Sequence, residues 1–555
     1  MALADIQSTF SQILAAPTPS QSVDNKVNLW LRNAKLAIAL VNEEPAAALA
    51  AHGTKNSLPP QLTHILLLTV FGKLNHFNDH YLQHLVAATL ALYHLTGHVK
   101  SDEADAEQLG DASLIRKSNE GKAISEFLRA KGLSSWLEIL RLKRVVFSAK
   151  NAQAHSLASA KLNRAQRLCL LSKIISSAST EKKHSLFSQC TRLIPVHHHG
   201  LLPSLSPLFE RSMPGEKVYA SGIPATIVDI QQNHSFAAVA RNADRDSDWV
   251  PASSIRSPIH QHIEFDAFIA LFNETRAPRL VKGGQPFFPT TFAIQRPPSA
   301  LLHIIDELQK RDIDIPTLCE KIERAPTFNH FLISTASQDN RLQLPVKTIK
   351  QAVLTYGTER VGDMLVQFAL MERLTQHEFP LVDTCKQFTL VASAFASHIA
   401  SLTKTKFTAQ SAALTMTFAC SPLFTLPGLK VITKLPVRAN PNFSINNTFK
   451  ITTPSPWLSI AIELAENWHQ SATWRAVLHQ CNKKNDAVPT SLRKEHAVIS
   501  LGFYLAKAYL LTTPNKDLSN TNEVKLWKSV LSLSSSDLAH IVNERKPHLI
   551  CPLPR

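Results

Sequence analysis

The side chains here with the most chemical capacity are imidazoles: the chain carries 24 histidines. His197, His198 and His199 are consecutive, and imidazole nitrogens do bind transition metals. Adjacent histidines need further ligands to converge on one ion, so the triplet is read as part of a loop. The run NHFNDHYLQH at 75–84 sets His76 and His80 at the i, i+4 spacing of a helical metal clamp, with Asp79 and His84 close by. The same letters suit the polar start of a helix capped by Asn78 or Asp79, which is the reading adopted. Two further histidines belong to apolar stretches: His64 in LTHILLLTVFGKL and His94 near the end of HLVAATLALYHLTG.

Other chemistries find less support. Ser, Cys and His are plentiful, yet spacing assembles no nucleophile–base–acid set. The seven cysteines lie far apart with no CxxC pair, a pattern of reduced thiols in a cytoplasm rather than a disulfide frame. Cys169 and Cys420 fall in apolar helical stripes and are expected in the core. With 15 glycines and no GxGxxG, GxxxxGK[ST] or GxSxG, the chain lacks the close-approach turns of dinucleotide folds, P-loops and esterase elbows.

The elements that would position these residues are mostly helices. Leu301, Ile304, Ile305 and Leu308 recur at i, i+3, i+4, i+7, as do Ile349, Ala352, Val353 and Tyr356, then Val361, Met364, Leu365 and Phe368. Gly357 between the last two reads as a left-handed C-cap and Thr358 as the next N-cap, which makes a helical hairpin. Residues 214–255 instead alternate apolar and polar letters between turn residues, and read as a small β-meander. SDEADAEQLGDAS at 101–113 reads as an acidic linker, and the Pro- and Asn-rich stretch 422–455 as a long loop.

Length and composition set outer bounds. A chain of 555 residues exceeds one core, and 44% hydrophobic residues suffice to build two or three. No leading basic-then-apolar segment follows Met1, and apolar runs such as ILLLTVFG are shorter than the roughly 18 residues that span a bilayer. The formal net charge is +16, and residues 430–555 supply half of the excess, with 16 Lys+Arg against 8 Asp+Glu. That basic region is read as a solvated face; nucleic-acid contact is the alternative.

The segment 297–375 carries a specific pattern: PPSALLHIIDEL, IPTLCEKIERAPTFNHFLISTAS and LPVKTIKQAVLTYGTERVGDMLVQFAL. It resembles the HDOD domain of bacterial signalling proteins, whose hallmarks fall on Pro298, Ala325, Pro326, Leu332, Ala336, Leu344, Pro345, Ile349, Gln351, Ala352, Val353, Gly357, Arg360 and Val361. The likeness extends through WLSIAIELAENWHQSATWRAVLHQC (457–481), for a domain of about 285–540. HDOD domains resemble HD phosphohydrolases in fold but usually lack the metal ligands. By that resemblance Gln387 stands at the first His position, and TMTFACS (415–421) at the His-Asp position holds neither residue.

The N-terminal half, 1–210, is similar to the helical part of HD-GYP phosphodiesterases, with the strands of 211–256 following as in that family. The interval from His64 to His94 matches that from the first His to the His-Asp pair. The resemblance then implies that Leu95 replaces the Asp, and that Lys173 replaces the last metal-ligating Asp. The family's His-His and Gly-Tyr-Pro signatures, expected near 144–154, have no match. An ammonium and an isobutyl group in place of two carboxylates leave too few ligands for a two-metal hydrolase.

The sequence therefore predicts a mainly α fold of two HD-superfamily-like helical domains separated by a small antiparallel β-meander. It predicts a non-catalytic cytoplasmic adaptor with no cofactor and no metal, bound to signalling proteins of cyclic di-GMP or two-component pathways as the resemblance implies. One rival is a metal-dependent hydrolase of cyclic dinucleotides using His64 and His94 with His76 or Asp79. The other is a nucleic-acid-binding regulator using the basic C-terminal region.

Overall fold

The computed structural model describes residues 6–54, 58–97, 119–142, 161–177, 200–201, 213–230, 236–241, 247–256, 263–274, 287–339, 345–435, 457–511 and 521–543. The stretches 101–113 and 144–154, the triplet His197–His199, Leu344 and residues 436–455 of the predicted loop lie outside them. The protein is mainly helical, with one small antiparallel sheet among the described residues. It gathers into two compact units: Met1–Thr290 with Val431–Thr433, and Thr291–Lys430 with Lys434–Arg555. The sheet belongs to the first unit.

In the first unit the helices are α1 (Ile6–Ile13), α2 (Val23–Glu43), α3 (Pro45–Gly53), α4 (Pro60–Leu74), α5 (Asp79–Gly97), α6 (Asn119–Ala130), α7 (Ser134–Leu140), α8 (Arg164–Ser177) and, after the strands, α9 (Phe265–Glu274). Ser22 caps α2 through the Asn25 amide, and Val27, Trp30, Ala34, Ala37, Ile38 and Val41 form its inward stripe. On α4 every residue from Leu62 to Gly72 is buried, because α2, α3, α5 and α8 all pack against it. A helix covered on all sides has no wet face, so its one imidazole must find partners inside the protein.

Five strands follow: β1 (Lys217–Ala220), β2 (Ile223–Ile230), β3 (Phe236–Arg241), β4 (Ser247–Pro251) and β5 (Ile255–Arg256), in the order β4-β3-β2-β1-β5. Ser221 and Gly222, both at positive φ, form the two-residue turn between β1 and β2. A 3₁₀ turn at Ala252–Ser254 returns the chain so that β5 pairs with β1. Val228, Ala238 and Ala240 make the sheet's inner face, with Trp249 and Leu271 of α9 packed on it. Gly215 approaches α3 so closely that a β-carbon there would stand 2.5 Å from Thr54 Cγ2.

In the second unit the predicted stripes become α10 (Ser299–Leu308), α13 (Ile349–Tyr356) and α14 (Thr358–Leu374), with α11 (Ile315–Glu323) and α12 (Pro326–Asp339) between the first two. Gly357 has φ 80° and ψ 155°, outside the left-handed helical region expected of it. It serves both helices: its N–H donates to Val353 O, and its carbonyl accepts from Val361 N. Thr358 is the first residue of α14 and not its cap.

The long helices α15 (Val382–Leu402), α16 (Ala409–Cys420) and α21 (Arg493–Leu511) pack together. Gly502 of α21 lies where a β-carbon would stand 3.0 Å from the Ala396 backbone nitrogen. The stretch predicted as a loop from 422 begins with two short helices, α17 (Pro422–Thr425) and α18 (Pro427–Lys430). Then come α19 (Trp457–Asn467), α20 (Ala472–Gln480) and, after α21, α22 (Asn522–Leu531) and α23 (Ser535–Asn543).

Candidate functional site

His64 on α4 is wholly buried. Its Nε2 lies 2.9 Å from the Cys169 carbonyl of α8, and its Nδ1 lies 2.7 Å from the Tyr93 hydroxyl of α5. A carbonyl only accepts, so Nε2 carries the proton and Nδ1 accepts from the tyrosine. Both ring nitrogens are committed. Burial, with the nearby Lys173 charge second, pushes the imidazole down to about 3. Burial raises the Tyr93 phenol above its ordinary value and pushes the Cys169 thiol up to about 12. Thr89 places its hydroxyl 3.7 Å from Cys169 Sγ.

Lys173, one helical turn beyond Cys169, holds its ammonium 5.7 Å from the centre of the Tyr93 ring, a cation–π distance. Burial lowers its pKa. The structure thus brings together three sequence-distant residues, on α4, α5 and α8: His64, Tyr93 and Lys173. His94 itself faces elsewhere. Its Nδ1 accepts from Trp30 Nε1–H at 2.7 Å, which fixes a neutral ring with the proton on Nε2.

These residues do not fit a divalent ion of the HD type. A metal needs free lone pairs on several converging donors. Here the His64 nitrogens are engaged, the His94 Nδ1 lone pair is taken by an indole, and Leu95 and the Lys173 ammonium have none to give. Among the described residues, no three His, Cys, Asp or Glu side chains are grouped to hold a metal ion.

The 75–84 cluster is a helix start, as the capping reading expects. Asn78 Oδ1 accepts from the His80 and Tyr81 amides, and Asp79 pairs with Lys73 at 2.9 Å. His76 precedes α5 at φ 57°, so the i, i+4 helical geometry with His80 does not arise. His84 is buried and accepts from Trp136 Nε1–H at 2.8 Å, and burial holds it down to about 3.

Beside the His64 chain opens a cavity of about 330 Å³, half closed, in the first unit. Its inner wall is Trp30, Leu90, Tyr93, His94 and Leu95; Ala16 and Pro17 stand at its rim. At one side lies Lys26, almost fully buried, whose Nζ is 2.5 Å from the half-exposed Glu120 carboxylate and 3.3 Å from the Pro19 carbonyl. Sequence reasoning missed Lys26 and Glu120. Lys26 was detectable as a cation placed one turn before Trp30 on an apolar stripe; Glu120, 94 positions away, left no local signal.

In the second unit Gln387 is exposed on α15, so it occupies no interior site. The buried polar side chains of that helix are Thr389, Ser393 and Ser397. Within 415–421, Thr417 Oγ1 meets Gln367 Nε2 at 2.9 Å and Ser393 Oγ at 3.0 Å, and Gln410 Nε2 donates to Gln367 at 2.7 Å. The apolar hallmark residues Leu332, Ala336, Ile349, Ala352, Val353 and Val361 are core, Pro326 opens α12, and Arg360 stacks 4.5 Å over Tyr356. They build the α12–α14 corner.

No family model matches the chain, and no curated protein matches it. Among solved structures, the response regulator MmoQ from Methylococcus capsulatus str. Bath matches over 45% of this chain and 97% of its own, at 13% identity and a TM-score of 0.21. A superposition that loose carries no argument about either the fold or the role. No described helix is long and apolar enough to cross a membrane.

Proposed function

We propose that this chain is a non-catalytic regulatory protein of the HDOD type. Its N-terminal helices would form an HD-like fold whose metal centre has been replaced by an internally satisfied polar chain. It acts through protein partners in the cytoplasm, in signalling of the cyclic di-GMP or two-component kind. One observation carries this reading: Tyr93 O–H, His64 and the Cys169 carbonyl form a closed relay in which no imidazole nitrogen is left for a metal. The Lys173 charge beside it repels a cation further.

The hydrolase alternative would require His64 to break both bonds and Lys173 to leave, with no carboxylate at position 95 to bridge two ions. The test is hydrolysis of cyclic dinucleotides by the purified full chain with added manganese, iron or zinc, beside affinity capture of partners from native cells. Specific capture of signalling proteins without turnover supports the proposal. Metal-dependent turnover abolished by His94→Ala defeats it.

A further inference from the structure

We propose that the cavity bounded by Trp30, Tyr93 and Leu95 is a binding site for a small organic monoanion with an apolar body, its anionic group held by Lys26. This rests on the non-catalytic reading of the same helices and deepens it: the chain would be a ligand sensor. Three observations point to such an occupant. The volume of about 330 Å³ lies at the small end of the range for ligand pockets, about 300–1,000 Å³. The inner wall is aromatic and aliphatic, and Leu95 contributes a branched hydrocarbon to it.

The third observation is the asymmetry of the ion pair. The Lys26 side chain is 6% exposed, whereas that of Glu120 is 44% exposed. The cation is fixed inside the protein by the Pro19 carbonyl and by its own helix, while the carboxylate reaches in from a half-solvated position on α6. A buried ammonium needs an anion, and a ligand's carboxylate or sulfonate in the cavity exchanges with Glu120, which turns back into water. Glu120 thereby holds the place of the ligand's acid. A phosphodiester or nucleotide fits poorly, because the wall offers one cation and a broad apolar surface.

The probe is 1-anilinonaphthalene-8-sulfonate, whose fluorescence rises in apolar sites, with N-phenyl-1-naphthylamine as the same body lacking the sulfonate. Titrated into the full chain, the sulfonate is expected to bind saturably at one site. Lys26→Met weakens it about tenfold and leaves the neutral probe unchanged. Glu120→Gln, which removes the competing anion, tightens the sulfonate several-fold. Trp introduced at the exposed rim (Ala16→Trp) or at the wall (Leu95→Trp) removes binding of both probes. Displacement by 2-naphthoate or by octanoate tells an aromatic from an aliphatic body.

Equal affinity of wild type and Lys26→Met for the sulfonate overturns the proposal. So does undiminished binding by both tryptophan variants at unchanged far-ultraviolet dichroism, or displacement by neither acid. Failure of the non-catalytic reading would register separately, as metal-dependent turnover, which this titration does not read.

Discussion

Replacing His64 by glutamine tests the relay quantitatively. In the folded chain the ring stays neutral down to about 3, whereas the unfolded chain takes up a proton at the ordinary value of 6.5. Protonation therefore favours the unfolded state: stability is full above about pH 7 and falls as pH drops through 6.5 toward 3. Going from pH 8 to pH 5, one such histidine costs about 2 kcal/mol, and the figure is insensitive to the folded value so long as it stays below about 4. A glutamine amide at this position can donate to the Cys169 carbonyl and accept from Tyr93 at its oxygen but lacks the fixed geometry and packing of the ring, so His64→Gln should cost about 1–3 kcal/mol at pH 8. The variant escapes the proton penalty at pH 5, and the gap from wild type should close by about 2 kcal/mol. His84 and His496 titrate in the same direction in both proteins and cancel in the subtraction. The assay is urea unfolding at each pH, read by proteolysis and mass spectrometry of fragments from α4 and α5. Parallel stability curves for wild type and variant between pH 5 and pH 8 would refute the neutral, fully bonded ring.

Three further predictions concern the frame. Gly357→Ala places a β-carbon at φ 80°, ψ 155°, and should lower stability by about 1–3 kcal/mol in the denaturant transition of the second unit. Gly502→Val drives a branched side chain into the Ala396 backbone, and should cost about 1–3 kcal/mol with a lowered thermal midpoint. Cys169, Cys319, Cys385, Cys420 and Cys481 are buried with raised pKa values, so Ellman's reagent should reach them only after denaturant is added.

What the sequence disclosed followed from one-sided burial. The stripes at 301–308 and 349–356 each face one core, so a 3.6-residue period survives and those helices fall where expected; α14 does so too, although Met364 to Met371 are all buried. The alternation at 214–255 likewise marked the strands, although not their attachment to α3 and α9. Helices covered on every side gave no such guide. On α16 every residue from Gln410 to Cys420 is buried, so polar Thr415 and Thr417 read like any other letters. The HDOD resemblance put Gln387 at the first His position; that residue is exposed on α15, and Ser393 of the same helix is the one that faces the buried network.

The relay was hidden for a different reason. Its acceptor is a backbone carbonyl at Cys169, which no side-chain letter announces. Tyr93 stood one place before the histidine that drew attention, and the Trp30–His94 bond spans 64 positions. Lys173 lies close enough to His64 for its charge to act on the imidazole, and its ammonium stands 5.7 Å from the centre of the Tyr93 ring.

Both His64 nitrogens are engaged inside the protein, and the His94 Nδ1 lone pair is taken by Trp30. The direct measurement is metal content of the purified full chain after exposure to manganese, iron and zinc and removal of the excess, compared with His64→Ala and His94→Ala. The account predicts that wild type retains no metal that either substitution removes. One or two ions per chain, lost on either substitution, would contradict it.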